Sequence, residues 1–359
     1  MRIALALAVM ASAFAVPARA GELRVATYNV ELSRKGPGLL LRDMTRGDAK
    51  AEAVAQVVAG VAPDVIALQG VDWDHGQVTI RALRDLIGAA GQEFPYILAL
   101  RPNSGMMSGL DLDGDGRLRG PGDAQGYGRF AGDGGMAILS RYPLGPARDL
   151  SGARWAGYDW AMLPMDKGAL FPSEAAMEVQ RLSSVGHWIV PIKMAGEAVD
   201  LLVFHASPPV FDGPEDRNGK RNHDEIMLWR HVLDAEPALA EGRFVILGDF
   251  NLDPVDGEGL KQAVRGMLED RRLRDPTPRS AGAVAAQDAG HRGDPALDTV
   301  DWPAVTDGGP GNLRVSYILP SKALEVGKAG VFWPAPGASG HELAMRASRH
   351  RLVWADVRW

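Results

Sequence analysis

The sequence predicts an α/β protein of two packed β-sheets with helices on their outer faces. Two observations carry that prediction: strand and helix signals alternate through the first half of the chain, and the second half holds more strand. No internal repeat and no Ser- or Pro-rich linker divides the chain, so residues 21–359 are expected to form a single domain.

The strand signals are short runs of β-branched and aromatic residues bounded by turn formers. In order they fall at Leu23–Asn29, Asp64–Gln69, Tyr96–Ala99, Gly135–Leu139, Trp188–Ile192, Val199–His205, Phe244–Leu247, Leu313–Ile318 and Leu352–Val357. Apolar residues at helical spacing predict helices over Ala49–Val61, Val78–Ala90, Arg221–Leu233 and Gly259–Met267. The stretches Arg101–Gly134 and Gly145–Ser184 are longer than ordinary connections, which makes them functional or metal-stabilised.

The N-terminus has its own logic. Met1-Arg2 is a short positive start, Ile3 to Val16 is apolar, and Ala18-Arg19-Ala20 ends in small residues. This is the layout of a signal peptide over residues 1–20, and the apolar run is short for a membrane anchor. Export to a periplasmic or extracellular compartment follows, with no membrane partner for the mature chain. The sequence contains no cysteine, so thiol catalysis, thiolate metal sites and disulfides are excluded.

Loss of Arg2 and Arg19 lowers the basic count from 39 to 37 against 45 acidic residues, a net charge of −8. A sequence-blind nuclease needs a basic surface to displace counterions from phosphates. Nucleic acid is therefore a poor partner for this chain on average charge.

Several chemistry-bearing residues fall at predicted strand ends, where sites form on such scaffolds. The first strand ends Ala26-Thr27-Tyr28-Asn29, and Val199–Phe204 delivers His205. A third strand leads into Leu247-Gly248-Asp249-Phe250-Asn251, and Ser348-Arg349-His350 precedes the last. In this order and spacing the chain resembles the endonuclease/exonuclease/phosphatase superfamily, a group of deoxyribonuclease-like, metal-dependent phosphoesterases. The resemblance runs from about Leu23 to the C-terminus.

It implies a four-layer sandwich of two mixed β-sheets packed face to face, and metal-assisted attack of water on a phosphoester. It also assigns roles. Asn29 lies near the metal and phosphate, and His205 contacts phosphate. Asp249 and Asn251 orient water and hold a phosphoryl oxygen, with Asp249 a ligand of the Mg2+ or Mn2+. His350 binds the scissile phosphate. A carboxylate to accept a proton and donors for phosphate oxygens are what such chemistry requires.

Three positions depart from the family pattern. Gly70 stands where a strand-end Glu is the principal metal ligand, Ser316 where an Asp polarises the final His, and Arg349 where another carboxylate lies. Hard cations depend on charged oxygen ligands, and Asp249 with Asn251 is a poor cage. Arg349 is expected instead as an anion donor in the vacated place. A carboxylate from Asp72 or Asp74 could restore the site, although Asp72 lies roughly 6–7 Å further along the strand than Gly70. Two readings stay open: a metal-dependent hydrolase of a small phosphoester, and a non-catalytic phosphate- or anion-binding relative. An extracellular nuclease is a third.

Asp111-Leu112-Asp113-Gly114-Asp115-Gly116 matches the opening of a calcium loop, with Asp123 just past the usual twelfth position. Asp111, Asp113, Asp115 and Asp123 are thus candidate ligands of a structural Ca2+ that orders the Arg101–Gly134 insertion. The segment Pro208–Asn218 follows His205 as a loop over the pocket mouth, where Arg217, Lys220 and Arg221 are candidate anion contacts.

Overall fold

The computed structural model describes residues 21–194 and 197–359, and the signal peptide read at residues 1–20 lies outside the described residues. The strands are β1 (Glu22–Asn29), β2 (Val65–Val71), β3 (Tyr96–Leu98), β4 (Gly135–Ser140), β5 (Arg148–Asp149), β6 (Met165–Asp166), β7 (Ala169–Leu170), β8 (Gly186–Met194), β9 (Glu197–His205), β10 (Phe244–Asp249), β11 (Ser316–Pro320), β12 (Glu325–Val331) and β13 (Val353–Arg358). The helices are α1 (Leu39–Thr45), α2 (Ala49–Val61), α3 (Val78–Ala89), α4 (Glu174–Val179), α5 (Arg217–Ala235), α6 (Pro237–Ala240), α7 (Gln262–Leu268), α8 (Ala281–Ala285) and α9 (His341–Ala347).

One mixed sheet has six strands in the order β12-β13-β1-β2-β4-β3, and a second has five in the order β11-β10-β9-β8-β5. Strand periodicity separates the layers. In β1, Leu23 and Val25 enter a core shared with Val65, Trp188, Val203 and Leu247, which joins the two sheets. The alternate residues Ala26 and Tyr28 pack outward with residues of α2 and α3. On the second sheet Phe204 and Ile246 point outward against α5 and α7. The order is helix, sheet, sheet, helix: the four-layer sandwich that the resemblance implied. Each large apolar side chain buried this way contributes roughly 1.5–3 kcal/mol.

Some element bounds differ from the sequence reading. The helix expected from Arg221 begins at Arg217, since its polar first turn, Arg217-Asn218-Gly219-Lys220, carries no apolar period. The strand expected from Leu313 begins at Ser316, because the preceding residues pair elsewhere: Leu313 bridges Val300. Strand β12 was not anticipated. Its sequence EVGKAGV is mostly exposed or half-buried and contains two glycines, so it lacks the apolar signature of a strand.

Candidate active site

Period two also builds the site. Thr27 and Asn29 continue the inward face of Leu23 and Val25, while His205 continues that of Leu201 and Val203. Asp249 in the same way follows Val245 and Leu247. Register brings these ends together: Asn29 lies beside Gln69, and Asp249 lies between His205 and Ser316. The apolar core between the sheets is thus closed at one end by polar side chains.

Asp249 is the hub and is fully buried. Asn29 Nδ2 donates to its Oδ2 at 2.8 Å, and the Asn251 backbone N–H donates to Oδ1 at 3.1 Å. His350 Nδ1 stands 3.4 Å from Oδ2 and His205 Nε2 stands 3.8 Å from it. Burial lowers both imidazole pKa values, against the opposing pull of Asp249. Asn251 holds a left-handed φ of 50° and donates Nδ2 to the Ala206 carbonyl at 2.8 Å. Asn29, His205, Asp249, Asn251 and His350 therefore share one cluster, although they lie far apart in the sequence.

The three departures have structural counterparts. Gly70 sits at a bulge in the β2–β4 pairing with φ 72°, and a Cβ there would lie 2.6 Å from Asn29 Oδ1. A Glu at this position would meet the Asn29 amide and the Glu31 backbone, so one or both would have to shift. Backbone strain alone would cost about 1–3 kcal/mol. Ser316 is buried, and its Oγ has no hydrogen-bond partner among the described residues.

Arg349 is not the free anion donor expected from the sequence. Its Nη2 reaches Glu31 Oε1 at 2.5 Å, and its backbone N–H donates to Glu31 Oε2 at 2.9 Å. Ser348 Oγ donates to the same Oε2 at 3.1 Å. Burial would raise the Glu31 carboxyl, but Arg349 and His350 hold it down at about 2. Glu31 adopts an uncommon left-handed φ of 47°, and its side chain is mostly covered while Arg349 is largely exposed. Sequence reasoning missed Glu31, although it stands only two residues beyond Asn29.

These residues do not fit Mg2+ or Mn2+. Asp249 is the cluster's one carboxylate and already accepts from two amide donors, Glu31 is held by a guanidinium and two further donors, and position 70 offers no ligand atom. Asp72 does not restore the set: it accepts from Ser33 Oγ at 2.5 Å and from the backbones of Arg34 and Gly134 at 3.0 and 3.2 Å. Asp74 caps α3 through Val78 and Thr79 N–H.

The remaining candidates divide. Arg221 is buried and donates to the carbonyls of Leu182, Gln125 and Arg181, so it braces loops and cannot serve as the expected mouth-loop anion contact. Lys220 is likewise bound to the Glu215 carbonyl. Arg217 is buried at the start of α5, with Nη2 on Gln180 Oε1 at 3.0 Å and Nε without a partner. Asp111, Asp113 and Asp115 bring ligand oxygens within 4.8 Å of one another. Asp123 stands outside that trio: its carboxylate accepts from Leu112 and Gly120 N–H and ties the loop together.

A cleft of about 710 Å3 opens beside the cluster, with His205 in its wall and Arg217, Phe211 and Tyr127 around it. This volume lies within the usual range for small-molecule sites.

The model of the Endonuclease/Exonuclease/phosphatase family matches residues 26–350. A solved endonuclease/exonuclease/phosphatase from Beutenbergia cavernae is similar at TM-score 0.55 and 18% identity, covering 94% of this chain and 72% of its own. A protein of the same family from Leptotrichia buccalis gives 0.53 and 16%, covering 94% and 100%. Sphingomyelinase C from Streptomyces griseocarneus gives 0.51 and 17%, covering 93% and 99%. At these identities the likeness is one of fold. No curated protein matches the chain.

Proposed function

Because the chain belongs to the endonuclease/exonuclease/phosphatase family of phosphoester hydrolases, we propose that it is an exported protein taking a small phosphoester at the His205–Asp249–His350 cluster without a resident divalent cation. The observation that carries this reading is the Glu31–Arg349 ion pair. It joins a carboxylate beside the Gly70 bulge to the guanidinium at a position where the family has a carboxylate. An internal cation thus balances the local negative charge.

Without a metal, the chain's own groups must do the work. His205 and His350 offer ring N–H groups to phosphate oxygens, and such fixed donors favour an anion in a partly dry site. Asp249 is the carboxylate placed to accept a proton from water. A guanidinium cannot lower the pKa of a bound water as a metal does, so turnover is slow. The net charge of −8 supports a small soluble ligand over a nucleic acid.

Calorimetric titration with inorganic phosphate, in chelator and then in millimolar Mg2+, tests the proposal alongside turnover of an aryl phosphate. Phosphate is expected to bind equally under both conditions, with slow turnover that added metal does not stimulate. Loss of binding in chelator, or hydrolysis switched on by Mg2+ or Mn2+, would favour the metal-dependent hydrolase and contradict this reading.

A further inference from the structure

The cleft beside His205 has polar walls that the cluster does not use. Ser104 Oγ, His205 Nδ1 and Arg217 Nε are buried, lack a hydrogen-bond partner among the described residues, and belong to side chains lining this cleft. Ser104 is 3% exposed and Arg217 9%. A buried polar atom left unpaired is costly, so three around one cleft point to a polar ligand there. His205 joins the two regions: Nε2 faces Asp249 and Nδ1 is the orphan.

The mouth is aromatic. Tyr127, from the long insertion after β3, is 67% exposed, and Phe211, from the loop before α5, is 90% exposed. Phe211 holds φ 70°, a region that bulky residues avoid. Its neighbours explain how it stays there. Asn218 Nδ2 donates to the Val210 carbonyl at 2.7 Å, and the Asn218 N–H donates to Asp212 Oδ2 at 2.5 Å. One residue of α5 therefore clamps the chain on both sides of Phe211, and Asn218 itself lines the cleft. A strained, solvent-facing aromatic held by its flanks is a feature of ligand clamps.

We infer that this cleft receives the alcohol part of the phosphoester and selects an aromatic one, with Tyr127 and Phe211 against the ring and Arg217 and Ser104 meeting its polar substituents. This deepens the proposed function and rests on it: the phosphoryl group occupies the Asp249 cluster, and His205 lies between the two halves of the ligand. Flat, rigid side chains contact a ring with little loss of rotamer freedom, which suits Tyr and Phe to the task.

The test uses three probes in chelator: inorganic phosphate, ethyl phosphate and 1-naphthyl phosphate. Wild type should bind naphthyl phosphate at least about tenfold more tightly than either of the others. Phe211→Ala and Tyr127→Ala should each lose roughly three- to tenfold for naphthyl phosphate and leave inorganic phosphate unchanged. Both side chains are exposed, so neither substitution threatens the fold. Asn218→Ala, which frees the Phe211 loop, should weaken naphthyl phosphate alone. Equal affinity for naphthyl and ethyl phosphate, or variants matching wild type, overturns the aromatic cleft while leaving the anion site. Failure of inorganic phosphate to bind overturns the anion site on which both readings stand.

Discussion

Single residues at this site act through what they touch. Arg349 could be read from the sequence, yet Glu31 and its pairing with Arg349 could not, because 318 positions separate them and no periodicity links them. Gly70 was legible as a missing ligand, while the Asn29 amide blocking its space was not. Arg217 and Arg221 illustrate the opposite difficulty. Basic residues in a polar segment read as solvent-facing, but α5 buries both. Asp298 gives a residue-scale prediction. Burial, reinforced by Asp253, Asp256, Asp294 and Asp288, pushes its carboxyl up to about 8. The unfolded value is about 4. Between these pH values the folded state holds a proton that the unfolded state releases, so stability falls as pH rises and levels off above about 8. Asp298→Asn removes this penalty. Its thermal midpoint should therefore gain on wild type progressively from pH 5 to pH 8 and keep that gain above it. Parallel midpoints for the two proteins across the range would refute the assignment.

At the scale of elements, the site depends on one short segment that ties the sheet ends together. Thr299 Oγ1 accepts from Val315 and Ser316 N–H at 2.9 and 3.0 Å, and the Thr299 carbonyl accepts from Arg351 N–H at 2.8 Å. Val300 bridges both Leu313 and His350. The start of β11 and the approach to β13 are thereby held in register. Strand periodicity exposed β1, β9 and β10 in the sequence, because their inward residues form apolar runs up to the polar ends that build the site. The Thr299 brace carries no such pattern and was invisible. Thr299→Val keeps the shape and leaves two buried donors unpaired, at about 1–3 kcal/mol each. Urea unfolding should show a lower midpoint with an unchanged slope, and phosphate binding should weaken as His350 loosens. A midpoint equal to wild type would show that the brace contributes nothing.

For the whole molecule, the sandwich was legible because its order of strands and its strand-end motifs point to one architecture, and the family match over residues 26–350 agrees. Less legible was the charge balance at its functional end. The substitutions at positions 70, 316 and 349 alone suggest a surplus of positive charge; Glu31 cancels part of it from a neighbouring turn. The central claim is that this end of the fold takes an anion and no resident cation. Manganese broadening of the His205 and His350 imidazole NMR signals tests that claim most directly. The Asp113→Asn variant is the protein to use, so that the Asp111–Asp115 loop does not hold the ion. Both signals should keep their widths up to millimolar Mn2+ and shift when phosphate is added. Selective broadening of His350 and His205 at micromolar Mn2+, reversed by Mg2+, would contradict it.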